Sequence, residues 1–422
     1  MLGRADSTKK GEWAMPRKPM SAPHVSEMVK QLSLASIMQV IPLREVEEAL
    51  KVTKTASVRN RLLPAPMVVY LVLMLALYSE VSVRENMAIL LEHLRGVFGQ
   101  DSMKRPVDSA VSKARQRLAA KPFRWLFEQV ARPRGDANLP GCFWRNFRVV
   151  AADGTTADVQ DTPPNRKRFG LHHNQHGRVG YPQMKAVVLT ECGTRLPLAC
   201  ALGRNDMHES VLFDQIASAL EKDMLMLADR AYYSFLRWKI CAEQAGALLW
   251  RVKSSLILKP IKNLPDGSYL TRIRPSDKLT RKRACRKDES FIVRAIEYRP
   301  LFEDGSEGDL VRLITTFLDP AEAPAEELAK LYADRWSAET SFDEIKTHLR
   351  GPRVLRSPLP ELVEQEWYGF LLAYYVVRSA IVEAARREGA APRTFSFVRA
   401  VRVIKRRLSF PPSDKERDEE NI

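Results

Sequence analysis

The sequence predicts an α/β catalytic core, preceded by a helical N-terminal domain and interrupted by a β-rich insertion. Three observations carry this reading. Apolar residues recur at helical spacing from about residue 25 to 135. From Phe147 onward, short apolar strands alternate with helices, the pattern of a layered α/β core. Between 255 and 318 that alternation gives way to strands set off by the turn dipeptides Asp266-Gly267 and Asp304-Gly305.

The same shifts divide the chain. Residues 1–20 read as a disordered basic tail, with Lys9, Lys10, Arg17 and Lys18. Residues 21–140 read as a helical N-terminal domain, with DNA binding as its expected role if its basic face meets a polyanion. The core occupies 141–254 and 319–390, the insertion 255–318, and a C-terminal tail 391–422, which is polar and expected to be disordered beyond Arg407.

Within the N-terminal domain, Met67–Leu77 is apolar on all sides, 11 residues behind Pro64 and Pro66. A bilayer needs roughly 20, so a buried helix is expected and no membrane partner. Ser82–Phe98 and Ser109–Val130 each read as one helix, the second N-capped by Ser109. That second helix carries Lys113, Arg115, Arg117 and Lys121, a face that lies on DNA or is simply solvated.

In the core, Phe147–Ala152 is a short strand that stops at Asp153-Gly154. Gln183–Thr190 and Arg195–Leu202 pair around Cys192-Gly193. Glu209–Glu221 is a helix, Met224–Ala228 a strand ending at Asp229, Tyr232–Gln244 a helix closed by Gly246, and Ala247–Val252 a strand. Tyr269–Ile273, Phe291–Tyr298 and Leu310–Phe317 are the strands of the insertion. A long helix runs from Ala325 to Arg350, bounded by Pro324 and Gly351-Pro352, and another from Glu361 to Arg386.

Charge narrows the function. The 422 residues hold 67 Lys and Arg against 51 Asp and Glu, a net charge of +16, which favours a polyanionic partner. Basic residues outnumber acids eight to one between Arg272 and Lys287, and Arg281, Lys282 and Arg283 form its densest run. Such a run is a phosphate-facing surface or a flexible solvated loop. The five cysteines are scattered without a Cys-x-x-Cys pair, which argues for a reducing compartment and against a zinc ribbon. His172, His173 and His176 have no cysteine near them and lie among Arg166, Lys167, Arg168 and Arg178, so a DNA-facing loop is favoured over zinc. No signal-peptide core and no phosphate loop for ATP is present, so no nucleotide cofactor is expected.

The chemistry is concentrated in Leu331–Lys346. At about 100° per residue, Tyr332, Arg335, Glu339 and Lys346 share an arc of about 60° that borders the apolar stripe of Leu331, Ala338, Phe342, Ile345 and Leu349. An ordinary i, i+4 ion pair accounts for Arg335 and Glu339 but not for Tyr332 and Lys346 on the same line. Asp153 and Asp229 each follow an apolar strand, where open α/β sheets place ligands. Two such carboxylates and one from a helix suit two hard divalent ions about 4 Å apart, Mg²⁺ or Mn²⁺.

Tyr332, Arg335, Glu339 and Lys346 match Tyr-x2-Arg-x3-Glu-x6-Lys, and the chain here resembles the insertion element 4 family of bacterial DDE transposases. Asp153-Gly154-Thr155 is similar to that family's first aspartate motif and Asp229-Arg230-Ala231-Tyr232 to its second. Tyr181-Pro182-Gln183, Glu191–Thr194 and Leu249–Val252 are also similar, and the likeness covers most of 30–385. The resemblance implies a ribonuclease H-like core whose Asp229-to-Glu339 gap holds the insertion. It implies Asp153, Asp229 and Glu339 as catalytic metal ligands, with two Mg²⁺ or Mn²⁺ per site. It implies Tyr332, Arg335 and Lys346 as contacts to DNA near the cleaved end. The implied activity is cut-and-paste transposition, in which terminal inverted repeats are cleaved, often through a hairpin, and joined to target DNA within a homodimeric synaptic complex. The setting implied is the bacterial cytoplasm, at the nucleoid. Relatives that hold a flipped base use tryptophan, but Trp250 and Trp336 read here as packing residues. A nuclease without strand transfer and a decayed DNA-binding remnant are the rival classes.

Overall fold

The computed structural model describes residues 34–57, 63–94, 106–174, 177–281, 284–286, 288–300, 306–351 and 354–408. They divide into two compact units. One spans Leu220–Arg335, and the other combines the chain up to Ala219 with the chain from Trp336 onward.

The second unit begins with six helices: α1 (Leu34–Val40), α2 (Leu43–Val52), α3 (Ala65–Leu77), α4 (Val83–Leu94), α5 (Asp108–Leu118) and α6 (Lys121–Val130). Helix α3 is buried nearly all round, as its unbroken apolar sequence requires. The single helix expected over Ser109–Val130 is two. Ala119 adopts φ +51°, and Pro122, which lacks an N–H, fits only the first turn of a new helix. The buried Gln365 amide donates to the carbonyls of Arg115 and Ala119, at 3.1 and 2.7 Å, satisfying the end that the break exposes. Ser109 is not a cap, since the helix starts one residue earlier after Val107. Lys113 and Arg117 are exposed, but Arg115 turns inward.

Strands β1 (Phe143–Trp144) and β2 (Phe147–Asp158) follow, then α7 (Pro163–Phe169), β3 (Leu171–Asn174), β4 (Gly177–Glu191), β5 (Leu196–Arg204) and the short α8 (Glu209–Asp214). In this unit β4 lies between β2 and β3 and also pairs with β5, all antiparallel. β2 does not stop at Ala152. It runs on to Asp158 because β4 offers partners along its whole length, from Val150 opposite Glu191 to Asp158 opposite Gln183. The turn after β4 is held by the buried Glu191 carboxylate, which accepts from the Arg134 and Gly135 amides, the Thr194 hydroxyl and the Arg148 guanidinium. A buried charge tolerates such a place only when it is paired in this way.

The unit Leu220–Arg335 holds β6 (Met224–Ala228), α9 (Phe235–Gln244), β7 (Ala247–Arg251), β8 (Pro260–Asn263), β9 (Tyr269–Ile273), α10 (Asp277–Arg281), β10 (Phe291–Tyr298), β11 (Val311–Thr315) and α11 (Ala325–Tyr332). β6 and β7 are parallel across the α9 connection, and all of β6 is buried. β11 pairs with β7, and β10, β9 and β8 follow outward, so the β-rich segment extends this sheet. Trp238 and Trp250 meet edge to face at 5.4 Å, confirming Trp250 as a packing residue. The buried Arg294 is paired with Asp266 and donates to Ser268 Oγ (2.7 Å) and the Ala323 carbonyl (2.6 Å).

The helix expected from Ala325 to Arg350 is not continuous. After α11 comes a 3₁₀ turn over Ala333–Arg335. The other unit resumes with α12 (Trp336–Asp343) and a π-helical stretch over Glu344–Leu349, followed by α13 (Pro360–Glu388) and α14 (Phe397–Leu408). α13 is apolar and long enough to cross a bilayer, but 89% of its most apolar window is buried in the protein, which makes it a core helix. Gly389 closes it in the left-handed conformation, φ +61°. The expected C-terminal tail contributes α14, whose Phe397 packs 5.2 Å from the Tyr374 ring. The Glu344 carboxylate ties the π-helical stretch to α13. It accepts from Arg378 Nε (3.0 Å), the Tyr374 hydroxyl (2.8 Å) and Arg195 Nη1 (2.9 Å).

Candidate active site

Six residues singled out in the sequence divide evenly between the units. Asp229, Tyr332 and Arg335 belong to Leu220–Arg335, and Asp153, Glu339 and Lys346 to the other.

In the first group, β6 ends at Ala228 and Asp229 follows at once, as expected. Its Oδ1 is buried and meets no hydrogen-bond donor among the described residues. The backbone of Asp229 accepts from the Tyr232 amide at 3.0 Å, shaping the turn. Tyr332 is buried, and its hydroxyl donates to the Ala228 carbonyl at 3.3 Å. Burial pushes the phenol well above its ordinary range. The Asp229 charge adds to that push, while Arg335 and Arg251 oppose it. Arg335, in the 3₁₀ turn, is buried as well.

In the second group, Asp153 stands within β2 opposite Val188, not at a strand end. Its Oδ1 accepts from the Gly154 amide at 2.9 Å. α12, which carries the half-buried Glu339, packs on β2 and β4. Lys346 lies in the π-helical stretch, an irregularity frequent at functional sites. Burial, then the Arg350 charge, pull its ammonium pKa down, while Asp158, Asp153 and Asp343 hold it up. The one-arc reading of the signature assumed a regular helix. The 3₁₀ turn and π-helical stretch break that assumption, but the burial follows it, with Tyr332 and Arg335 buried and Glu339 and Lys346 half-buried.

A carboxylate oxygen only accepts, and an unserved one in a buried position is suited to a hard cation. Asp229 Oδ1 therefore fits a divalent-ion ligand. No ready-made group of three His, Cys, Asp or Glu side chains able to hold a metal occurs among the described residues.

Trp336 departs from expectation. It is 54% exposed beside Glu339 on α12 and is not a core packing residue. Of the basic insertion run, Arg281 ends α10 exposed to solvent, whereas Lys282 and Arg283 lie outside the described residues. His176 also lies outside them, and Arg166, Lys167 and Arg168 form the last turn of α7, not a loop. Sequence reasoning missed Glu209, whose carboxyl lies directly over Gly154, and Glu344, whose buried network anchors the segment carrying Lys346. No spacing rule signals either one.

Family models identify the class of the chain. Residues 31–128 match the family model described as insertion element 4 transposase N-terminal, and residues 144–376 match the transposase DDE domain. The chain is similar to the transposase InsG for insertion sequence element IS4 of Escherichia coli (strain K12), 28% identical over 382 residues, covering 89% of this chain and 83% of that protein. It is similar to the probable transposase for insertion sequence element IS5377 of Geobacillus stearothermophilus, 24% identical over 259 residues, covering 61% and 62%. Among solved structures, the piggyBac transposase synaptic complex with hairpin DNA aligns with a TM-score of 0.44 and 11% identity, covering 93% of this chain and 86% of that one.

Proposed function

The chain belongs to the DDE transposase family, and on that premise we propose that it cleaves the terminal inverted repeats of an insertion sequence and joins them to target DNA. Asp153, Asp229 and Glu339 are the proposed ligands of two divalent ions, Mg²⁺ or Mn²⁺. Such ions stabilise the attacking and leaving oxygens of an in-line displacement at phosphorus. In cleavage, a water oxygen bonds to phosphorus, the P–O3′ bond breaks, and the 3′ oxygen leaves as a hydroxyl. In joining, that hydroxyl attacks a target phosphodiester and displaces its 3′ oxygen.

The chain's own residues prepare this chemistry. The observation that supports the reading is Asp229 Oδ1, a buried acceptor with no donor among the described residues, held at the end of an all-buried strand. The Tyr332 phenol stays protonated and fixes the carbonyl beside it. Arg335 and Lys346 supply positive charge for the phosphates flanking the cleaved bond, and Arg281, Lys282 and Arg283 for more distant backbone. Two ends must be held at once, so the working form is two copies on two DNA ends, acting at the nucleoid.

A strand-transfer assay tests this reading. Pre-cleaved terminal-repeat duplex is incubated with a supercoiled target and Mg²⁺. Wild-type protein is expected to give joined products, and Glu339→Gln to bind the duplex but give none. Cleavage of uncut ends without any joining would identify a nuclease instead.

A further inference from the structure

The unit that carries Asp153 and Glu339 contains an open pocket bordered by the C-terminal part of α3, the start of α4, α5, the segment after the π-helical stretch, and α13. Three arginines line it, Arg115, Arg350 and Arg356, against one acid, Glu366. Arg350 sits four residues past Lys346. Its side chain is half-buried, and both Nε and Nη1 are buried without a hydrogen-bond partner among the described residues. Among the described residues, the Arg115 guanidinium donates to neutral groups, Gln365 Oε1 at 2.9 Å and Ser357 Oγ at 3.2 Å. The Arg356 guanidinium, exposed at the rim, donates to the Ser79 carbonyl at 3.3 Å. Glu366 is occupied by the Ser357 hydroxyl at 2.8 Å and the Arg356 amide at 3.3 Å.

Three guanidinium groups thus share a pocket with one carboxylate, Glu366, whose charge reaches Arg115 and Arg350 but which, among the described residues, makes no hydrogen bond to either guanidinium. Burying a guanidinium without an anion is unfavourable. Burial pulls the pKa values of Arg115 and Arg350 down, and the charges of Glu366 and, at Arg350, Asp158 oppose that pull without cancelling it. An oxyanion with several acceptor oxygens would restore the missing bonds, and the planar guanidinium fork matches phosphate.

We propose that Arg350, with Arg115 and Arg356, forms a seat for one phosphate group, and that its occupant is a phosphodiester of bound DNA. The inference rests on the proposed function, because it continues the DNA track from Lys346 into the pocket whose rim Arg356 opens to solvent. Arg350 is a binding residue here and takes no part in the cleavage chemistry.

The test is a salt titration of binding to terminal-repeat and random duplexes, with wild type, Arg350→Gln and the rim variant Arg356→Gln, each first shown to be folded by circular dichroism. A lost phosphate contact flattens the slope of log K against log salt by about 0.9. That loss is expected on both duplexes for Arg350→Gln. Unchanged slopes in both variants would overturn the proposal. Thermal shifts with inorganic phosphate separate the sources. An Arg350-dependent stabilisation by phosphate with unchanged DNA slopes would overturn the DNA occupant and leave a free-anion seat. Glu339→Gln is carried in parallel: if it still cleaves, the metal assignment fails, while the salt slopes judge the pocket independently.

Discussion

The Tyr332 hydroxyl donates to the carbonyl of Ala228, the residue immediately before Asp229. One hydrogen bond thus fixes the helix of the signature to the strand end that presents the aspartate. Removing it with Tyr332→Phe takes a buried hydrogen bond from that carbonyl, at a cost of about 0.5 to 1.5 kcal/mol. Urea unfolding is expected to show a loss in that range. Cleavage of end DNA is expected to fall further than duplex binding, since Asp229 loses its support. Equal loss of both would make Tyr332 a DNA contact only.

Gly154 is the one residue type that fits beneath Glu209. A Cβ there would stand 2.2 Å from the Glu209 carboxyl carbon, next to Asp153. Gly154→Ala is therefore expected to displace Glu209 and disturb the Asp153 strand, lowering cleavage. The double variant Gly154→Ala, Glu209→Ala is expected to recover stability relative to Gly154→Ala alone. A thermal-unfolding cycle measures this coupling, and strict additivity of the two changes would refute the contact.

Glu344 and Arg378 form the buried pair that anchors the π-helical segment, with Tyr374 and Arg195 joining the carboxylate. Arg378→Met strips the carboxylate of its main partner, which typically costs about 3 to 5 kcal/mol. Denaturant unfolding of the unit should register a loss of that size. A loss under about 1 kcal/mol, the range of exposed pairs, would mean that solvent reaches the site.

These elements also mark how far the sequence can be read. β6 is five apolar residues ended by a charge, so Asp229 at a strand end is legible directly. Asp153 is not, because Asp-Gly has the chemistry of a turn, and only the pairing with β4 keeps β2 extended through it. The insertion strands are legible from β-branched and aromatic runs between turn dipeptides, but their attachment to β7 through β11 is a long-range pairing that no local pattern encodes. Helical spacing finds the signature residues, yet the 3₁₀ and π segments depend on tertiary anchors such as Glu344 with Arg378. Trp336 reads as packing by its residue type, although the face it occupies is exposed. α14 was lost among basic residues, because its apolar face, Phe397, Ala400, Val401 and Ile404, becomes visible only against α13.

Alkaline stability follows from buried phenols. Burial pushes Tyr233 up to about 12 from its ordinary 10.0. The phenol is protonated in both states below about pH 10, so its contribution is complete there. Above that, the unfolded chain releases the proton first, and stability falls as pH rises toward 12. Urea midpoints at pH 9 and pH 11 should therefore drop less in Tyr233→Phe than in wild type. An identical drop would show that this phenol titrates normally.

Metal-specific rescue bears most directly on the proposed role of Asp229 as an ion ligand. Thiolate is a softer ligand than carboxylate and disfavours Mg²⁺ relative to Mn²⁺. Cleavage of terminal-repeat duplex by Asp229→Cys should be abolished in Mg²⁺ and partly restored in Mn²⁺, with duplex binding retained in both. Cleavage by Asp229→Cys at the wild-type rate in Mg²⁺, or equally impaired in the two metals while the duplex stays bound, would contradict the assignment.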